Sequence, residues 1–129
     1  MTPSAAAPAA NTNNPLAWLY LTLAIAGAVL TWQANLAFMQ SHGTAFDLGL
    51  FVRLANANPA AQSLSRDLAV AATAFTVWMV AESRRLTMKG LPWVLLICVT
   101  IAFACGGPLF LYLRERRLME MARITDRLP

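Results

Sequence analysis

Three long apolar stretches dominate the pattern of hydrophobic and polar positions along this chain, at residues 16–39, 68–81 and 91–113. A helix of roughly 20 apolar residues crosses the hydrocarbon core of a bilayer, and the first and third stretches exceed that length. The pattern therefore predicts an all-α membrane protein. Its three transmembrane helices are expected at about residues 16–39, 63–83 and 91–113.

A polar segment separates the first two predicted spans and contains a shorter helical pattern. Its apolar positions are Phe46, Leu50, Phe51 and Leu54, and its opposing polar positions are Asp47, Arg53 and Asn56. This alternation is typical of a short amphipathic helix lying in the membrane interface. Pro59 disfavours a helical conformation in the residue before it, so the helix is expected to end near there. A binding lid is the alternative interpretation.

The second predicted span is short, and a carboxylate flanks each end of its apolar part. Residues 68–81 rise roughly 21 Å as a helix, whereas the hydrocarbon core is about 30 Å thick. Asp67 and Glu82 are therefore expected near opposite faces of the membrane, where a charge costs less than at the centre. Trp78, Glu82 and Arg85 form one ridge of the helix. This ridge is interpreted as a structural ion pair, with a binding or proton-handling site as the alternative.

The third predicted span contains a helix-breaking triplet in its second half, Gly106, Gly107 and Pro108. Pro108 has no amide hydrogen to donate to the carbonyl of Ala104, so the triplet predicts a kink. A neighbouring helix or water is expected to satisfy that carbonyl. The site is interpreted as a close helix crossing, and a ligand notch is the alternative.

Composition and charge agree with a membrane location. Hydrophobic residues make up 58% of the chain and charged residues only 12%, which is unusual for a water-soluble domain. The net charge of +4 comes from basic residues at the ends of the apolar stretches, so we interpret them as headgroup-facing flanks rather than a nucleic-acid site. The predicted organisation is a disordered tail over 1–15, a transmembrane domain over 16–118 and a short basic tail over 119–129.

Orientation follows from the distribution of Lys and Arg. Three spans place about three basic residues on the side of the N-terminus and about seven on the other side. The prediction is therefore a multi-pass protein of the cell membrane with its N-terminus outside and its C-terminus in the cytoplasm.

Motifs for catalysis or cofactor binding are missing from the sequence. The single His42 cannot build an intramembrane bis-histidine haem site, and Cys98 and Cys105 are interpreted as packing residues. We find no phosphate loop, nucleotide fingerprint, metal-binding His/Glu pair or nucleophile elbow. The sequence predicts no metal and no cofactor, and it gives an enzyme no support by motif.

Three features of the sequence carry a resemblance to a known family. Asp67, the Trp78-x-x-x-Glu82-x-x-Arg85 pattern and the segment from Pro108 to Arg117 resemble the domain-of-unknown-function 2834 family of small bacterial membrane proteins. The resemblance covers roughly residues 16–118. It implies a compact protein of three membrane helices in a bacterial inner membrane, and it implies no particular activity.

Two hypotheses of function remain. The first is a structural or accessory subunit that packs against itself or a larger membrane complex through small residues of the first helix, Ala24, Gly27, Ala28 and Thr31. The second is a small-molecule-binding or proton-handling protein with a polar pocket near Asp67 and Arg114. Three antiparallel helices would bring one set of polar residues to the same side, namely Gln33, Asn35, Asp67, Tyr112 and Arg114.

Overall fold

The computed structural model describes residues 14–43 and 45–127, which form five α-helices. They are α1 (Pro15–His42), α2 (Leu48–Leu54), α3 (Pro59–Arg85), α4 (Leu91–Thr100) and α5 (Phe103–Thr125). These described residues contain no strand, so the all-α prediction is confirmed. Residues 1–13 of the predicted disordered tail lie outside the described residues.

Each of the two longest helices starts at an Asn-Pro pair. The side chain of Asn14 accepts a hydrogen bond from the amide of Leu16, and that of Asn58 accepts one from the amide of Ala61. Pro at the first helical position costs nothing, because the amide hydrogen it lacks would have no helical partner there. Pro59 therefore opens α3, four residues before the predicted start, instead of closing the helix before it.

A short helix occupies the predicted place between the two long ones. Asp47 caps α2 by accepting a hydrogen bond of 2.9 Å from the amide of Leu50. The ring of Phe51 meets that of Phe38 edge-on, with 5.4 Å between the centroids, which places α2 beside the end of α1.

The predicted third span is wrong, because the chain reverses direction in the middle of it. α4 ends at Thr100, and the amides of Ile101 and Ala102 both donate to the carbonyl of Ile97. Ala102 is extended, with φ of −176°, and the next residue begins α5. The break thus precedes the Gly106–Pro108 triplet, which lies inside α5. α5 continues to Thr125, so most of the predicted C-terminal tail is helical.

α4 and the first half of α5 form an antiparallel helical hairpin. Close to the turn, Gly106 lies against Cys98, and further along Val94 and Phe110 pack in one cluster with Met79. A helix of ten residues rises about 15 Å, which is half of a hydrocarbon core. The hairpin therefore has the length to enter a bilayer halfway and return.

α5 is the centre of the fold, since its contact with α1 is the most extensive in the molecule. Gly27 of α1 lies against Ala104, and Asn14 bonds to Glu115, so these two helices are antiparallel.

α3 runs parallel to α5 and hardly touches α1. Phe75 meets Phe103 near the start of α5, and Glu82 pairs with Arg114 further along it. The start of α1, the end of α3, the start of α4 and the second half of α5 consequently lie at one end of the molecule, here named the basic end. The described chain therefore begins and finishes at the same end, and the prediction of termini on opposite sides is not supported.

A glycine and a proline together shape the α1–α5 contact. Pro108 leaves the carbonyl of Ala104 without its usual helical donor, and this carbonyl lies against Gly27. A Cβ atom on residue 27 would overlap the Ala104 oxygen, so only glycine allows the two backbones to approach this closely.

Two of the described helices, α1 and α3, are long and apolar enough to cross a membrane. α4 is apolar but has only ten residues. The predicted count of three spanning helices is thus reduced to two.

Candidate functional site

The most concentrated polar structure is a charged cluster at the basic end, formed by Asn14, Glu82, Arg85, Arg114 and Glu115. Glu82 is 7% exposed and sits in the last turn of α3. Its Oε1 accepts hydrogen bonds of 2.7 Å from Nη2 of Arg85 and from Nε of Arg114, and its Oε2 accepts one of 2.8 Å from Nε of Arg85. One carboxylate therefore joins two guanidinium groups, one from its own helix and one from α5.

The charged cluster continues from α5 to α1. Nη1 of Arg114 lies 3.2 Å from Oε1 of Glu115, and Oε2 of Glu115 accepts a hydrogen bond of 2.9 Å from Nδ2 of Asn14. Asn14 also caps α1 with its Oδ1 atom. The cluster thus links the three longest helices through side chains at the level where α1 starts.

An aromatic ring of α3 lies beside the charged cluster. The guanidinium of Arg114 lies over the ring of Trp78, 5.8 Å from its centroid. Trp78 in turn meets Phe110 edge-on at 5.7 Å. A cation–π contact of this kind adds electrostatic attraction to the packing, so Trp78 positions Arg114 beside Glu82. In the predicted ridge, Glu82 pairs with Arg85, whereas Trp78 faces Arg114.

A second arginine of α5 holds the turn between α3 and α4. Arg117 donates from Nε to the carbonyl of Leu86 at 3.1 Å and from Nη2 to the hydroxyl of Thr87 at 3.2 Å. Leu86 caps the C-terminal end of α3 and Thr87 follows it, and carbonyls at a helix C-terminus lack a partner within the helix. Arg117 therefore fixes the turn that connects α3 to the α4–α5 hairpin.

The buried polar atoms of the charged cluster are all paired within the protein. Every buried side-chain nitrogen and oxygen of the described residues has a hydrogen-bond partner. Among these residues no three His, Cys, Asp or Glu side chains lie close enough together to hold a metal ion.

The structure does not bring the five residues of the predicted polar pocket together. Tyr112 and Arg114 are at the basic end. Asn35 lies roughly 32 Å further along α1 than Asn14, and Asp67 lies roughly 22 Å before Glu82 along α3. Gln33 and Asp67 are exposed. The reversal at Ile101 is the cause, because it returns the second half of the predicted third span to the side from which that span started.

Sequence reasoning missed the contacts between Glu82 and Arg114 and between Asn14 and Glu115. Both join residues that are far apart in the chain, by 32 and 101 positions. The charge pattern was the available signal. A chain with three spans places the basic residues of 84–89 and those of 114–117 on opposite sides of the membrane. Basic flanks of membrane helices favour one common side, the cytoplasm.

Comparison with known proteins gives one result. No curated protein and no solved structure matches the chain. Residues 19–116 match the family described as "Protein of unknown function DUF2834". That region includes Trp78, Glu82, Arg85 and Arg114, and it confirms the resemblance noted in the sequence. The chain therefore belongs to the DUF2834 family.

Proposed function

We propose that the protein is an integral membrane protein in which α1 and α3 span the bilayer and the α4–α5 hairpin enters it from the basic end, and that it works as a structural or accessory subunit. One observation carries this proposal. In the most apolar stretches of α1 and α3 only 11% and 6% of the residues are buried inside the molecule. An apolar helix of a water-soluble protein hides its apolar side chains in a core, whereas these face outward, where lipid or another helix must cover them.

Exposed side chains on α3 illustrate the point. Leu64, Leu68, Val70 and Val77 are each between 60% and 71% exposed. The carbonyl oxygens and amides of α3 are paired within the helix, so the backbone itself is compatible with lipid. The bilayer is therefore the first partner of this surface.

The distribution of charge supports an orientation with both termini in the cytoplasm. Eight of the ten Lys and Arg residues lie at the basic end: Arg84, Arg85, Lys89, Arg114, Arg116, Arg117, Arg123 and Arg127. Arg53 and Arg66 lie toward the other end. Cytoplasmic segments near membrane helices carry an excess of Lys and Arg, so the basic end faces the cytoplasm.

The accessory role is supported by the helix surfaces that the α4–α5 hairpin does not cover. α4 reaches only about halfway through a bilayer, and α1 and α3 hardly touch each other. The first half of α3 carries the small residues Ala69, Thr73 and Ala74 on an exposed surface. Small side chains let a second membrane helix approach closely, so this surface suits a partner helix.

The alternative of a small-molecule or proton-handling pocket near Asp67 and Arg114 has no such support, because these residues lie toward opposite ends of the molecule.

Reporter fusions test the membrane topology. Green fluorescent protein, which reports a cytoplasmic position, and alkaline phosphatase, which folds only outside the cytoplasm, are fused in turn to each terminus. We expect fluorescence and no phosphatase activity at both termini. An insertion near Ala57, between α2 and α3, serves as the internal control and is expected to give the opposite result. Termini that report opposite sides would contradict the proposal.

Native mass spectrometry after mild detergent extraction tests the accessory role. We expect a stoichiometric membrane partner that is lost in Ala69→Leu and retained in Ala34→Leu, a matched change at an exposed alanine of α1. A lone monomer, or equal loss in both variants, would overturn the accessory role.

A further inference from the structure

An open groove of about 1120 Å³ lies at the basic end, outside the charged cluster. The start of α1, the turn between α3 and α4 and the second half of α5 form its walls. We name it the basic groove and define it by one tryptophan and four basic residues of its lining, Trp18, Lys89, Arg116, Arg123 and Arg127.

The basic groove carries positive charge that the protein does not neutralise. Within residues 14–43 and 45–127, Lys89, Arg123 and Arg127 form no ion pair and no side-chain hydrogen bond. Arg116 bonds only to the hydroxyl of Tyr112, at 3.1 Å. Glu120 is the one carboxylate that lines the groove, and Arg117 already binds it at 2.8 Å. An anion is therefore the favoured occupant.

Apolar walls lie beside these charges. Leu113, Met119 and Ile124 line the groove, and Trp18, which lines it from α1, is 61% exposed. A small inorganic anion would gain nothing from contact with these apolar side chains. A lipid, in contrast, combines a charged headgroup with an apolar glycerol and acyl region that could pack against them. Indole rings are also favoured at the depth where lipid headgroups meet the hydrocarbon core.

Position decides between a soluble and a lipid anion. If the basic end faces the cytoplasm, as proposed above, the groove opens beside α1 at the level of the inner-leaflet headgroups. Basic pockets between membrane helices on this side are suited to anionic headgroups. We infer that the basic groove binds the phosphate of an anionic phospholipid; this inference rests on the proposed membrane insertion.

The test uses the full-length protein reconstituted in lipid nanodiscs of phosphatidylcholine with phosphatidylglycerol. After transfer to mild detergent, native mass spectrometry counts the lipids of each class that stay bound. The groove variant is Lys89→Gln with Arg123→Gln. The matched control is Arg53→Gln with Arg66→Gln, which removes the same charge from exposed positions toward the other end.

We expect the wild type and the control to retain phosphatidylglycerol in preference to phosphatidylcholine. The groove variant is expected to bind phosphatidylglycerol at least about tenfold more weakly, because each basic residue near an anionic surface contributes about fivefold. Equal retention by both variants, or no preference for phosphatidylglycerol, overturns the inference. Loss of the preference on addition of millimolar glycerol phosphate also overturns it, since the groove would then take a soluble anion.

Alkaline carbonate extraction of the cell membranes that contain the wild-type protein, done before purification, separates this outcome from failure of the proposed function. If the wild-type protein stays with the membrane but shows no lipid preference, only the proposed lipid site is refuted. If the wild-type protein is released into the supernatant, the proposed membrane insertion itself is refuted.

Discussion

Arg114 and Glu82 stand 32 positions apart in the chain, yet Nε of Arg114 donates to Oε1 of Glu82 at 2.7 Å. The contact joins α5 to the last turn of α3. An anion at the C-terminal end of a helix is disfavoured by the helix dipole, so Glu82 requires positive partners at that position. Arg114 is the partner that comes from elsewhere in the fold, and it also covers the ring of Trp78.

Removing Arg114 is expected to cost more stability than removing Arg85. The side chain of Arg114 is 24% exposed, whereas that of Arg85 is 66% exposed and loses more of its attraction to solvent screening. Arg114→Gln is expected to lower the free energy of unfolding by about 2 kcal/mol, and Arg85→Gln by less. Thermal unfolding in detergent, followed by tryptophan fluorescence, measures both. Equal losses would show that the interhelical bond carries no special weight.

Glu82 and Arg114 are expected to be coupled in a double-mutant cycle, and Asp67 and Arg114 are not. In the first cycle, Glu82→Gln combined with Arg114→Gln should show a coupling energy of about 1 to 3 kcal/mol. In the second, Asp67→Asn and Arg114→Gln should add to within about 0.5 kcal/mol, because the two residues lie toward opposite ends. Unfolding midpoints of the single and double variants give both values. Strong coupling of Asp67 to Arg114 would restore the polar pocket that the sequence predicts.

Gly27→Ala is expected to loosen α1 from α5. The added Cβ would overlap the carbonyl oxygen of Ala104, so the helices must separate at a cost of about 1 to 3 kcal/mol. Gly49→Ala is the matched control, because its Cβ would make only an ordinary contact of 3.4 Å, with Oδ1 of Asp47. The melting temperature should fall for Gly27→Ala and stay nearly constant for Gly49→Ala. An unchanged melting temperature in both would mean that the α1–α5 approach is not tight.

Neighbouring glycines of α5 are expected to respond in opposite ways. A Cβ on Gly106 would overlap Sγ of Cys98 and lie 3.0 Å from its backbone nitrogen, so Gly106→Ala should open the hairpin. A Cβ on Gly107 would make ordinary contacts of 3.6 Å with Phe75 and 3.7 Å with Phe103. Gly107→Ala should therefore be neutral, or stabilising by up to about 1 kcal/mol, since alanine favours a helix over glycine.

Hydrogen exchange at the hairpin reads out this pair of variants. Faster exchange across α4 in Gly106→Ala, with no change in Gly107→Ala, is the expected pattern. The reverse order would mean that α4 does not pack on α5 at Cys98.

The sequence predicts the first two long helices well, because an uninterrupted apolar run dictates a helix wherever the chain goes next. The prediction fails at residues 91–113 for a physical reason. The hydropathy of a segment depends only on its residue types, so it does not show whether the chain continues straight or reverses within the segment. Ile101 and Ala102, where the chain turns, include neither Gly nor Pro. The glycines at 106 and 107 draw attention as helix breakers, yet Gly106 is needed for the close approach of α4.

The same limit applies to the charged cluster. Glu82 and Arg85 are three positions apart on one helix, so their pairing follows from helical geometry alone. The partners of Glu82 and Glu115 on other helices depend on the reversal at Ile101. A sequence interpretation that assigns a third span therefore groups the wrong polar residues.

The contact between Asn14 and Glu115 has a consequence for biosynthesis. A ribosome adds about 5 to 20 residues per second, so the 101 positions between the two residues represent about 5 to 20 seconds of synthesis. During that delay α1 is already made while its main packing partner does not yet exist. α1 contains no Asp, Glu, Lys or Arg from Pro15 to His42, so in the proposed membrane location it is compatible with lipid before α5 is made. On that proposal, the uncharged sequence of α1 suits the interval before assembly as well as the finished fold.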